Sequence, residues 1–199
     1  MGCSIRRDHS DKIAAVIGIN PLISGPASQA GQLAFIREQA EANNNPDVLT
    51  ALKRIGPAPY AANEILEVQA LVDRYGGVFH RKPSFLLATI KGVVLGLIAP
   101  WDIPRYIEAN NRSLKAMHDE LSKLDLRNIV TDIKVPVGFM LGRYDRQVST
   151  QAAIDFLEHL SAPRKQTIWF EHSAHNIPFE EPELFRKNLR GMLKRFGLT

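Results

Sequence analysis

A parallel α/β sheet carrying a long helical insertion is the fold this 199-residue sequence predicts, and three features predict it. Residues 12–20, KIAAVIGIN, are a short apolar run rich in β-branched side chains that stops at Pro21, the pattern of a buried strand. From residue 129 onward, strand-like and helix-like runs alternate, which is the grammar of a parallel α/β sheet. Between them, residues 22–128 read as helical throughout. The expected organisation is a core made of 1–21 and 129–199, with about three parallel strands and flanking helices, and an inserted all-helical unit over 22–128.

Each element has its own warrant. After the first strand, PLISGPASQAG (21–31) is rich in Gly, Pro and Ser and reads as a loop. Good helix formers follow over 29–44, and NNNP stops them. PDVLTALKRI (46–55) is a second helix, with Pro46 at its start and Gly56-Pro57 past its end. APYAANEILEVQALVDRY (58–75) is a third, closed by Gly76 and Gly77. The longest apolar run, FLLATIKGVVLGLIAP (85–100), falls short of a membrane span and carries Lys91, so 84–98 reads as a buried helix. A more polar helix covers 103–124, with Trp101 and Tyr106 near its start. VPVGFMLG (135–142) is then a second buried strand and KQTIWFE (165–171) a third. Between them STQAAIDFLEHLSA (149–162) is an amphipathic helix capped by Ser149 or Thr150, and PELFRKNLRGMLKRF (182–196) is the last helix.

Composition narrows the function classes. With 45% hydrophobic and 23% charged residues, the chain can build a sizeable core. Its 25 basic and 21 acidic residues are interspersed, and a net +4 gives no nucleic-acid footprint. The single cysteine, Cys3, excludes an internal disulfide framework and a multi-cysteine zinc site, and fits a reducing compartment. The opening MGCSIRRDHSDK is polar where a signal peptide must be apolar. Gly2 and Cys3 invite lipidation, but Arg6 stands where the acylation pattern wants Ser or Thr. A cytoplasmic protein with no membrane partner is the expectation.

Two loops carry the chemistry. LGRYDRQVS puts Asp145 just beyond the second strand, and FEHSAHNIP puts His175 just beyond the third. In an open parallel sheet, ligands gather beyond the carboxyl ends of the strands, so the two residues are expected on one edge. A carboxylate that accepts from one imidazole nitrogen fixes the tautomer and leaves the other nitrogen to take a proton from a nucleophile. Alone, Asp145 is equally a turn aspartate; paired with His175 in this order, a catalytic role leads. His172 reads as a solvated residue or one that supports its neighbours, and H-x-x-H is weak as a metal pair, because EHSAH is not the H-E-x-x-H motif and no third ligand stands at a suitable spacing. His80 reads as structural or exposed. Glu64, Glu67, Trp101 and Tyr106 are either pocket-lining groups or a solvated helix face.

These turns resemble the α/β-hydrolase family, in which nucleophile, acid and histidine follow in that order. The family's G-x-x-D turn is matched by Gly142-Arg143-Tyr144-Asp145. Its histidine turn is matched by Ser173-Ala174-His175, with EEP after it. RIGPAPY (54–60) and DRYGGVFHRK (73–82) resemble cap segments of hydrolases similar to proline iminopeptidases. The resemblance implies a partial α/β-hydrolase fold with 22–128 as its cap domain. It implies Asp145 and His175 as acid and histidine of a serine-type triad, and hydrolysis of ester, amide or peptide bonds in small molecules or short peptides, aminopeptidase-type cleavage included. It implies no metal or organic cofactor.

One departure stands out. No G-x-S-x-G nucleophile elbow occurs in the sequence, and RDHSDKI (7–13) resembles the phrase that ends the helix after that elbow. The chain thus resembles the C-terminal portion of the family, without nucleophile or oxyanion donors. Gly2-Cys3-Ser4 is half an elbow with Arg6 in place of the second glycine, and Ser24 and Ser28 read as turn and capping residues. The expectation is a hydrolase-like chain that is inactive alone. Two alternatives stand beside it: a non-catalytic binding protein, whose exposed, apolar first-strand edge favours self-association, and an N-terminally truncated gene model of an active hydrolase.

Overall fold

The structure, a computed structural model, describes residues 12–80, 90, 93–96 and 99–198. Three strands, β1 (Val16–Ile19), β2 (Val137–Gly142) and β3 (Lys165–Phe170), form one parallel sheet in the order β1-β2-β3. The helices are α1 (Gly25–Ala42), α2 (Pro46–Ile55), α3 (Ile65–Arg74), α4 (Asp102–Leu121), α5 (Thr150–His159), α6 (Ile177–Glu180) and α7 (Pro182–Phe196). Between β1 and β2, the regular elements among the described residues are helical.

The central strand explains the layering. All six residues of β2 are buried, and they alternate between two cores. Val137, Phe139 and Leu141 pack against Ala152, Ala153, Phe156 and Leu157 of α5. Met140 points the other way, toward Phe170 and α7's Met192 and Phe196. Covering both faces with helices is what permits an unbroken apolar strand. Gly138 is small because a Cβ there would sit 2.3 Å from the Met192 sulfur. A third core, built from Leu33, Ile36, Val48, Leu52, Val68 and Val72, lies among α1, α2 and α3.

The sequence-based boundaries hold best where Pro and Gly punctuate the chain. The second and last helices run over the expected 46–55 and 182–196. The predicted loop at 21–31 is corrected: α1 already begins at Gly25. Ser24 is its N-cap, accepting from the Ala27 amide at 3.3 Å, and Pro26 sits in the first turn, where its missing N–H is harmless. Ser24 also donates to Asp125 at 3.1 Å, and hydrogen bonds from Arg127 hold the Asp125 carboxyl down at about 2. The third helix starts at Ile65 rather than 58, after the proline-containing RIGPAPY turn. The expected apolar helix at 84–98 and the Gly2-Cys3-Ser4 stretch lie wholly or largely outside the described residues.

Candidate active site

Asn20, Asp145 and His175 all lie just past the carboxyl ends of β1, β2 and β3. The parallel register brings those ends together. The acid and histidine loops are joined backbone to backbone: the Arg143 amide donates to Phe170 O at 3.0 Å and the Tyr144 amide to Ser173 O at 3.0 Å. Outside, the Arg143 guanidinium meets the Glu171 carboxylate in a two-point contact (2.9 and 2.7 Å) while lying over the Trp169 ring. That pair is solvent-exposed and adds little energy, but it fixes geometry.

The spacing of the loops is set by Gly142. A Cβ there would lie 2.0 Å from the Ala174 carbonyl oxygen, so only glycine lets the two loops close to this distance.

Asp145 is buried and fully engaged. Its Oδ1 accepts from the amides of Gln147 (2.7 Å) and Val148 (3.2 Å), and its Oδ2 lies 2.8 Å from His175 Nδ1. When the carboxylate is ionised it has no proton to give, and the contact then requires the hydrogen on His175 Nδ1. Nε2 is then the basic nitrogen of the neutral ring. The structure thus brings together the two residues singled out from the sequence, in a geometry suited to accepting a proton at Nε2.

The histidine loop is held by its own downstream acids. Glu181 accepts from Ser173 Oγ (2.6 Å) and the His172 amide (3.3 Å), and Glu180 accepts from the Ala174 amide (2.7 Å). The EEP run is therefore a pair of carboxylates anchoring the turn that carries His175.

One positioning residue escaped the sequence reading. Asn20 is buried, with φ at 42°, a left-handed conformation that asparagine tolerates better than most residues. Its Nδ2 donates to Ala174 O (3.0 Å) and His175 O (2.8 Å), and its Oδ1 accepts from the Gly142 amide (2.8 Å). One side chain therefore clasps the ends of β2 and the histidine loop. The only local signal was an Asn-Pro step ending an apolar strand.

The other candidates fall elsewhere. His172 is exposed. Among the described residues, no group of three or more His, Cys, Asp or Glu side chains could hold a metal ion. Glu64 and Glu67 both pair with Arg54. Trp101 and Tyr106 are 71% and 70% exposed, as on a solvated helix face. His80 is exposed too, but its ring stacks on Tyr144, with centroids 3.5 Å apart and planes 6° from parallel. Ser28 donates to Ser24 O (2.7 Å) and accepts from the Ser149 amide (3.0 Å), a structural use. No helix among the described residues is long and apolar enough to cross a membrane.

Similar proteins place this fold. The chain matches a proline iminopeptidase-related protein of Thermus thermophilus with TM-score 0.60 and 17% identity, over 96% of this chain and 59% of that one. It matches the proline iminopeptidase of Mycobacterium smegmatis with TM-score 0.60 and 17% identity, over 99% and 62%. The three-stranded parallel sheet with flanking helices is thus a partial α/β-hydrolase fold. Both of these structures bear the proline iminopeptidase name. By sequence the chain is similar to the probable aminopeptidase YbaC of Bacillus subtilis, 26% identical over a 192-position alignment that covers 93% of this chain and 59% of YbaC. It is also similar to the AB hydrolase superfamily protein YclE of the same organism, 35% identical over 72 residues, or 36% of this chain and 25% of YclE. No protein-family model matches the chain. It spans about three-fifths of the length of YbaC and of the two iminopeptidase structures.

Proposed function

We propose that Asp145 and His175 are the acid and histidine of a serine-type hydrolase site acting on ester, amide or peptide bonds. The substrate is a small molecule or short peptide, and the aminopeptidase name of YbaC favours an N-terminal residue as the group released. The observation that carries this reading is the 2.8 Å contact between His175 Nδ1 and a buried carboxylate whose other oxygen is already bound by two amides. In that arrangement Nε2 takes the proton from an attacking hydroxyl as its oxygen bonds to the substrate carbonyl carbon. Asp145 stabilises the imidazolium that results, and the same proton then passes from Nε2 to the departing amine or alcohol. Residues 22–128 serve as the cap above the core of 1–21 and 129–199. This division is supported by the separate apolar cluster among α1, α2 and α3.

The 199 residues contain no G-x-S-x-G sequence, and the nucleophile is not assigned to any of them. The chain by itself is therefore expected to turn over chromogenic esters and proline amides no faster than buffer. Turnover that His175→Ala abolishes would contradict this and point to a hydroxyl or thiol within these residues.

A further inference from the structure

The residues following α3 reach across both loops of the site. Gly76 takes φ 82°, and Gly77 is buried where a Cβ would lie 2.6 Å from Arg146 Cβ and 2.7 Å from Val72 Cγ1. From there the backbone is bonded to each loop in turn. Gly77 O accepts from the Arg146 amide at 3.0 Å, next to Asp145. Val78 O accepts from the His175 amide at 3.1 Å and from Asn176 Nδ2 at 3.1 Å. The His80 amide donates to Glu180 Oε1 at 2.6 Å, while Glu180 Oε2 takes the Ala174 amide at 2.7 Å. One carboxylate thus joins this segment to the residue preceding His175. The His80 ring on Tyr144 adds a contact to the residue preceding Asp145.

We propose that residues 77–80, clasped by Glu180, form a strap from the helical segment that positions the Asp145–His175 pair. It rests on the reading of that pair as the site's acid and base. The imidazole–carboxylate bond is directional, and a shift of either loop by a fraction of an ångström weakens it. A strap bonded to residues 146, 174 (through Glu180), 175 and 176 limits such shifts. It also makes the helical segment's position felt at the histidine: lifting the strap frees His175 from the acid. Gly77, Val78 and Glu180 are positioning residues and touch no reacting atom.

The test is nitrogen-15 NMR of the His175 ring in the full chain, in wild type, Gly77→Ala, Glu180→Ala and Glu180→Gln, with thermal melts alongside. In wild type the neutral ring is expected in its Nδ1–H form. Gly77→Ala and Glu180→Ala are expected to lose that form in favour of Nε2–H while still melting cooperatively. Glu180→Gln, which can accept from one of the two amides but not both, is expected to fall between them. If Gly77→Ala does not fold, the two Glu180 variants decide the matter. Folded variants with wild-type His175 signals would overturn the strap and leave the pair standing. A wild-type ring already in the Nε2–H form would instead overturn the pair.

Discussion

Gly142→Ala is expected to lower stability by about 3 kcal/mol and to separate Asp145 from His175. The new Cβ would sit 2.0 Å from Ala174 O and 2.8 Å from Ser173 O. Both are backbone atoms, so no side-chain rotation relieves the clash, and one of the two loops must move. The Asn20 clasp on the Gly142 amide and the Tyr144–Ser173 bond resist that movement. Denaturant unfolding measures the loss. Gly31→Ala is the matched control: it lies within α1, and a Cβ there meets nothing within 4 Å. It should raise stability by roughly 1 kcal/mol through helix propensity alone. Equal effects of the two substitutions would refute the packing argument.

Asp145→Asn tests the chemistry rather than the packing. Asparagine keeps the shape, and its carbonyl oxygen can still accept from the Gln147 and Val148 amides. Its NH₂ group then faces His175 Nδ1. Two donors cannot share that contact, so the ring must shift its hydrogen to Nε2 and accept at Nδ1. The basic nitrogen then points away from a nucleophile. Where the pair supports turnover, a wrong tautomer of this kind lowers kcat by about 10⁴-fold in the serine proteases that serve as the general precedent. A polypeptide that retains activity and carries Asp145→Asn with undiminished kcat would exclude Asp145 as the orienting acid.

The sequence spoke most clearly where the information was local. Alternating strand and helix patterns located β2, α5, β3 and α7, and proline and glycine bounded α2 and α7 closely. It misled at Gly25-Pro26, because proline suits a first helical turn as well as a loop, and only packing against the α4 end decides between them. A Cβ at Gly25 would lie 1.8 Å from Leu121 O. The contact between Asp145 and His175 was anticipated because each follows a strand of one parallel sheet. Asn20 was not: it acts on carbonyls 154 and 155 residues away, and nothing in its neighbourhood encodes that. Gly77 and Val78 were legible as a helix stop and as part of a cap-like phrase. Their bonds to both loops depend on how the helical segment sits, which periodicity does not specify. The EEP run carried a resemblance in the sequence, and its physical role emerged only when Glu180 and Glu181 were seen to accept from the histidine turn.

In the proposed site, Asp145 holds His175 with a hydrogen on Nδ1 and a bare, basic Nε2. Assigning the ring nitrogens of His175 by NMR in the wild-type chain, at a pH where the ring is neutral, tests it most directly. Nδ1–H is the expected dominant form, converted to Nε2–H by Asp145→Asn. A wild-type ring that is mainly Nε2–H, or one indifferent to Asp145→Asn, would contradict it.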